Sequence, residues 1–161
     1  MKEFQGKTIL ITGAAGFIGA ALARRILAES QEADGKQGTS NGRETSSGHG
    51  GKGVGFDSVN DYYDARLKEY RLRGLEKYEN FTFVKGNLAD KKIISEVFEK
   101  YQPEIVVNLA AQAGVRYSID HPDAYIESNI VGFYNILEAC RRYQPEHLVY
   151  ASSSSVYGGN K

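Results

Sequence analysis

At 161 residues with 41% hydrophobic content, the chain has the length and composition of one soluble globular domain with a real core, and neither a disordered nor a fibrous protein. Twenty basic and twenty acidic side chains cancel, leaving no net field to hold a polyanion, so neither nucleic acid nor a membrane surface is an expected partner. One cysteine cannot close an internal disulfide, and no apolar run is long enough to span a bilayer or to precede a cleavage site; the expected compartment is the cytosol.

The first element is the most informative. Ile9, Leu10 and Ile11 form an apolar β-branched run that enters Gly13, Gly16 and Gly19 and leaves as a helix, with Ile18, Leu22, Ile26 and Leu27 expected on one face. This pattern reads as a dinucleotide-binding turn. Gly13 can take the tight strand-to-helix turn, Gly16 lets backbone approach a pyrophosphate, and Gly19 lets the helix pack on the strand. The free N–H groups opening the helix then face the phosphates. Ser30 to Gly53 is almost without apolar side chains and is expected to be a flexible polar insertion at about residues 30–53. The glycines Gly48, Gly50, Gly51 and Gly53 within it have no preceding strand or following helix and are not read as a second phosphate loop.

Val54 to Asp57 is a short strand ending in an acid, and 60–78 carries Tyr63, Leu67, Tyr70 and Leu75 at helical spacing. A strand at Phe81–Val84, a helix over Lys91–Tyr101, a strand at Ile105–Val107, a helix over Asp123–Tyr143 and a strand at Leu148–Tyr150 follow. In the long helix, Ile126, Ile130, Phe133, Ile136 and Leu137 are expected on one side, and Cys140 is expected as a small buried apolar residue rather than a nucleophile. Strand and helix alternating in this way predict an α/β fold with a doubly wound parallel sheet, its ligand crevice at the strands' carboxyl ends.

The suspicious clusters sit at those ends. Asp57 closes the second strand, where a carboxylate can accept both hydroxyls of an adenosine ribose and repel a 2′-phosphate, favouring NAD over NADP. It lies further along than the usual spacing of about 20 residues, and the polar insertion accounts for the excess. Asn87 is a candidate for touching adenine, while Asp90 reads as a helix N-cap. The small residues of Asn108 to Gly114 let backbone lie against a ligand, and Ala151 to Gly158 brings hydroxyls to the same level. No metal is expected.

Thr12 to Gly19, Asp57 with Asn60–Asp64, Asn108 to Ser118 and Ala151 to Gly158 together resemble the extended short-chain dehydrogenase/reductases of the NAD-dependent epimerase/dehydratase type, most closely the UDP-glucuronate 4-epimerase group. The resemblance covers nearly everything outside Ser30–Gly53. It implies a Rossmann fold, NAD as cofactor, and epimerisation at C4 of a nucleotide sugar through a transient 4-keto intermediate. It also implies that Gly13, Gly16, Phe17, Ile18 and Gly19 hold the pyrophosphate, Asp57 and Ser58 the adenosine ribose, Asn87 and Leu88 the adenine, and Leu109, Ala110, Ala111 and Asn129 the central part of the groove. Ser153 matches the catalytic Ser/Thr that bonds the sugar 4-hydroxyl, and Ser154, Ser155 and Arg116 are candidates for the uronate carboxylate. Asn87 stands where such proteins often carry Asp.

The same resemblance implies a catalytic Tyr followed four residues later by Lys on one helix face. The spacing of Tyr157 and Lys161 meets this only formally, since Gly158 and Gly159 oppose a helix. The expectation is therefore an incomplete Rossmann domain over residues 1–161, ending after its fifth strand, with the substrate domain absent and no activity alone. A homodimer through the 123–143 helix is implied, and Ile126, Phe133 and Tyr134 are expected to be exposed without their partner. Two other readings stay open: a non-catalytic dinucleotide-binding module, and a nucleotide-sugar dehydratase. The second is disfavoured by Ser154 and Ser155, where such dehydratases carry acids.

Overall fold

The computed structural model describes residues 4, 6–35 and 51–159. Five strands, β1 (Thr8–Thr12), β2 (Lys52–Asp57), β3 (Phe81–Lys85), β4 (Ile105–Asn108) and β5 (His147–Tyr150), form one sheet in the order β3-β2-β1-β4-β5 with every pair parallel. The order reverses between β1 and β4, whose ends pair at Thr12 and Asn108. In such a sheet the crossovers leave on opposite faces from this point and a crevice opens there.

Alternation along the strands builds two cores. Ile9, Ile11, Ile105 and Val107 face α1 (Phe17–Gly35), which contributes Ala20, Ala23, Ile26 and Leu27. Leu10, Val54, Phe56 and Val106 face the opposite layer, α3 (Lys91–Tyr101) and α6 (Phe133–Tyr143), where Ile94, Val97, Phe98 and Ile136 are buried. With both faces covered, the strands read as continuous apolar runs. Asp90 caps α3, accepting the N–H groups of Lys92 and Ile93 at 2.9 and 3.2 Å.

Several expected boundaries and faces are corrected. The helix α1 continues through Gly35 and β2 begins at Lys52, so both ends of the expected insertion belong to the fold. Ser30 is buried with its hydroxyl donating to the Ile26 carbonyl at 2.9 Å. Residues 36–50, the centre of that insertion, lie outside the described residues. Ile18 is 66% exposed rather than on the buried stripe, because the first turn of α1 fronts the crevice instead of the sheet. In α2 (Ala65–Leu75) the buried residues are Lys68, Leu72 and Leu75, while Leu67 and Tyr70 face out. The single helix expected over 123–143 is preceded by a turn, α4 (Tyr117–Asp120), and divides into α5 (Pro122–Tyr125), a π-helical segment (Ile126–Gly132) and α6. The wider π turn shifts the phase of the apolar stripe. Asn135, Ile136 and Ala139 therefore face the core and Ile126, Ile130, Tyr134 and Leu137 are exposed, while Phe133 is half-buried with its ring 5.1 Å from that of Tyr150.

Candidate dinucleotide groove at the strand ends

The chain end of β1 is tied to both neighbours by its own polar groups. Thr12, fully buried, donates its hydroxyl to Asn108 Oδ1 at 2.7 Å and accepts the N–H groups of Leu109 and Ala110 at 3.2 and 3.1 Å. On the other side the Gly13 and Ala14 N–H groups bond the Phe56 carbonyl at 2.8 and 3.3 Å. The turn is as tight as backbone allows. Gly13 has φ +71°, and a Cβ there would lie 2.9 Å from the Ala110 nitrogen; a Cβ on Gly19 would lie 2.1 Å from the Gly13 carbonyl oxygen. Both positions thus need glycine for space, and Gly13 also for conformation.

A groove of about 470 Å³ opens in front of this turn. Gly13 and Gly16 line it from the turn after β1, Phe17, Ile18 and Gly19 from the start of α1, Asp57 and Ser58 from the end of β2 and the residue after it, Asn87 and Leu88 from the loop after β3, and Leu109, Ala110 and Ala111 from the loop after β4. The expected positions from four separate stretches are thus brought together. Asn129 does not line the groove; it clasps the loop that does, its Oδ1 accepting the Gln112 N–H at 2.8 Å and its Nδ2 donating to the Gln112 carbonyl at 2.9 Å. Ser153 and Arg116 are exposed and outside the lining, although Ala151, two residues before Ser153, borders it. Ser154 and Ser155 open a 3-10 turn ending at Tyr157, and their side chains lie outside the described residues. After Tyr157 the backbone turns left-handed at Gly158, φ +63°, which separates Tyr157 from any continuing helix; Lys161 lies outside the described residues.

Asp57 does more than end a strand. Its Oδ2 accepts the Ala15 N–H at 3.1 Å and its Oδ1 the Val59 N–H at 2.8 Å, so it holds the glycine turn onto β2. A carboxylate offers about four acceptor positions, which leaves two for a ligand. Lys68 Nζ lies 3.8 Å from Asp57 Oδ1 with both side chains buried, and donates to Asn60 Oδ1 at 2.6 Å. Three residues further along α2, Arg71 donates to the Ala15 carbonyl and the Tyr63 hydroxyl, each at 3.3 Å, its guanidinium 5.9 Å from the Phe17 ring. Lys68 and Arg71 are groove residues that sequence reasoning missed. Their spacing to Asp57 carries no motif, and only the burial of a lysine inside an apparently exposed helix marks them.

The far bank is aromatic. The Tyr62 ring lies 4.7 Å from that of Tyr117, and the Tyr125 hydroxyl donates to the Ala113 carbonyl at 2.8 Å and to that of Gly114. Desolvation, then the neighbouring Tyr62, pushes the Tyr125 phenol above its ordinary value, keeping the donor proton in place. Burial pushes the Cys140 thiol up to about 11, which argues against a nucleophile, and it packs against the α3–α6 core. Among the described residues no group of three or more His, Cys, Asp or Glu could hold a metal ion, and no helix is long and apolar enough to cross a membrane.

Comparison with known proteins agrees with this geometry. Residues 9–161 match the model of the NAD dependent epimerase/dehydratase family. The chain is 51% identical to protein CapI of Staphylococcus aureus over 94% of its own length and 39% of that protein's. It is 41% identical to UDP-glucuronate 4-epimerase 3 of Arabidopsis thaliana over 99% of its length and 33% of that protein's. Its fold matches a UDP-glucuronic acid 4-epimerase variant from Bacillus cereus, solved with NAD and a fluorinated UDP-glucuronic acid, at TM-score 0.73 and 29% identity, covering 96% of this chain and 42% of that one. The chain thus spans two-fifths or less of the length of these curated relatives.

Proposed function

Because this chain belongs to the NAD dependent epimerase/dehydratase family, we propose that it is the cofactor-holding part of a nucleotide-sugar 4-epimerase that uses NAD and acts on UDP-glucuronate. The observation that carries the reading is the junction of the glycine turn, Asp57 and Arg71 at one end of the groove. These residues fit a dinucleotide. Gly13 and Gly16 present backbone without a side chain to the groove, the N-terminus of α1 supplies N–H groups that its helical bonds leave free and a partial positive charge, and Arg71 adds a full one. NAD, when bound, supplies a hydride acceptor that lets C4 of the sugar pass through a ketone and return in either configuration.

In this reading Gly13, Gly16 and Gly19, with the N–H groups of Phe17 and Ile18, receive the pyrophosphate. Asp57 spends its two remaining acceptor positions on the adenosine ribose hydroxyls beside Ser58, and a 2′-phosphate would meet a carboxylate there. Asn87 and Leu88 flank the base, and Leu109 to Ala111 form the wall opposite, held by Asn129 through Gln112. Ser153 bonds the sugar 4-hydroxyl and helps pass its proton, while Arg116, Ser154 and Ser155 receive the uronate carboxylate through charge-assisted hydrogen bonds. UDP-glucuronate is favoured by the identity to the plant epimerase and the likeness to the Bacillus cereus enzyme.

Calorimetric titration with NAD tests the reading. One NAD per chain is expected, with affinity for NADP lower by about tenfold or more, equivalent to about 1.4 kcal/mol. No saturable binding of NAD would overturn it.

We further propose that the stripe Ile126, Ile130, Tyr134 and Leu137, exposed along the π segment and α6, pairs with a second copy of the chain. Light scattering on a sizing column is expected to give twice the chain mass, and a single monomer peak across all accessible concentrations would overturn the pairing.

A further inference from the structure

At the adenosine end of the groove, Asn87 is held by both ends of its amide. Its Oδ1 accepts the Ala89 N–H at 2.9 Å, and its Nδ2 donates to Glu127 Oε1 at 2.7 Å. The two partners fix which end is which, because a backbone N–H needs an acceptor and a carboxylate needs a donor. Turning the amide over would lose both bonds and set oxygen against carboxylate and N–H against N–H.

The π-helical segment aims Glu127 at this position. Three consecutive residues there serve three neighbours: Glu127 bonds Asn87, Ser128 borders the groove and Asn129 clasps Gln112. The loop after β3 is pinned to the same helix from below. A Cβ on Gly132 would lie 2.7 Å from Leu88 Cβ, and Asn135 Nδ2 donates to the carbonyls of Leu88 and Ala89 at 2.9 and 3.0 Å. The amide of Asn87 is therefore locked in direction on a loop that is itself locked in place.

We propose that Glu127 is a positioning residue that sets the purine choice of the groove through Asn87. The inference rests on the dinucleotide reading above. With one lone pair and one N–H already used, Asn87 keeps one acceptor and one donor, the pair that an asparagine presents to the amino group and adjacent ring nitrogen of adenine. On the edge that carries N1, hypoxanthine has a carbonyl in place of the amino group and an N–H in place of the ring acceptor. To pair with it the amide must turn over, and Glu127 together with the Ala89 N–H opposes that turn. Glu127 itself is exposed, so it acts through Asn87 without a part in the core.

The test is calorimetric titration of the full chain with NAD and with nicotinamide hypoxanthine dinucleotide. The unsubstituted chain is expected to prefer NAD by about tenfold or more. Glu127→Leu is expected to bring that preference below about threefold while leaving NAD affinity within about threefold, and Glu127→Gln, whose amide oxygen can still accept from Asn87, should restore it. A purely structural role for Glu127 would weaken both ligands alike. Equal affinities in the unsubstituted chain, or an unchanged preference in Glu127→Leu, would overturn the proposal. Failure of the unsubstituted chain to bind either dinucleotide would instead remove the cofactor reading on which it rests.

Discussion

Gly19→Ala is expected to destabilise the protein by about 3 kcal/mol or more, at the upper end of overpacking costs and a large share of a domain's total stability of about 5–15 kcal/mol. Helix propensity alone predicts the opposite sign, since Ala in a helix interior is favoured over Gly by about 1 kcal/mol. Sterics decide between them. The added Cβ would stand 2.1 Å from the Gly13 carbonyl oxygen and 2.8 Å from the Gly13 carbonyl carbon, which are backbone atoms of the turn. They cannot yield locally, because the Gly13 N–H is fastened to Phe56 and the Gly13 carbonyl accepts the Gly16 N–H at 2.9 Å. The control is Gly74→Ala in α2. There a Cβ would meet only the far end of the Arg24 side chain at 3.4 Å, and a gain of about 0.5–1 kcal/mol is expected. Urea denaturation of both variants measures the contrast. Equal and small effects would mean that α1 can lift away from the turn, and the close packing would lose its role in shaping the groove.

The contrast also shows where the sequence is legible. Three glycines between an apolar run and a helix announce a turn because backbone geometry leaves few alternatives, and the crevice follows from the alternation of strands and helices. Asp57 is legible for a similar reason, as an acid at a strand end. What the sequence hides is the work of partners far apart in the chain. Nothing local to Thr12 reveals that its hydroxyl joins β1 to the loop after β4, and nothing local to Glu127 reveals Asn87, forty residues away. The 123–143 region misleads for a different reason. A π segment preserves the look of a continuous helix while shifting its phase, so the apolar positions Ile126 and Ile130 read as core and stand outside it. In α2, a hydrophobic stripe through Leu67 and Tyr70 loses to an ion pair that draws Lys68 inward.

That ion pair carries the second large effect. Asp57 and Lys68 have side chains only 8% and 6% exposed, with Oδ1 and Nζ 3.8 Å apart, so removing either leaves a buried charge without its opposite. The two removals are not equal. Asp57→Ala strands the Lys68 cation with Asn60 as its hydrogen-bond partner, and also leaves the Ala15 and Val59 N–H groups without their acceptor. A loss of about 3–5 kcal/mol is expected, together with loss of NAD binding, because the glycine turn is no longer held to β2. Lys68→Met keeps the aliphatic stem, and the carboxylate it abandons still accepts two backbone N–H groups, so its cost should be smaller, about 1–3 kcal/mol. The double variant Asp57→Ala with Lys68→Met should then cost less than the sum of its singles, by about 0.5–3 kcal/mol. Denaturation midpoints of the set, with NAD titrations beside them, separate fastening from ligand contact. If the pair were additive, the ion pair would carry no coupling and the backbone donors alone would hold Asp57; if Lys68→Met proved as damaging as Asp57→Ala, the backbone donors would not be what steadies Asp57. The groove's adenosine end would then depend on charge balance alone rather than on a carboxylate held in place for its ligand.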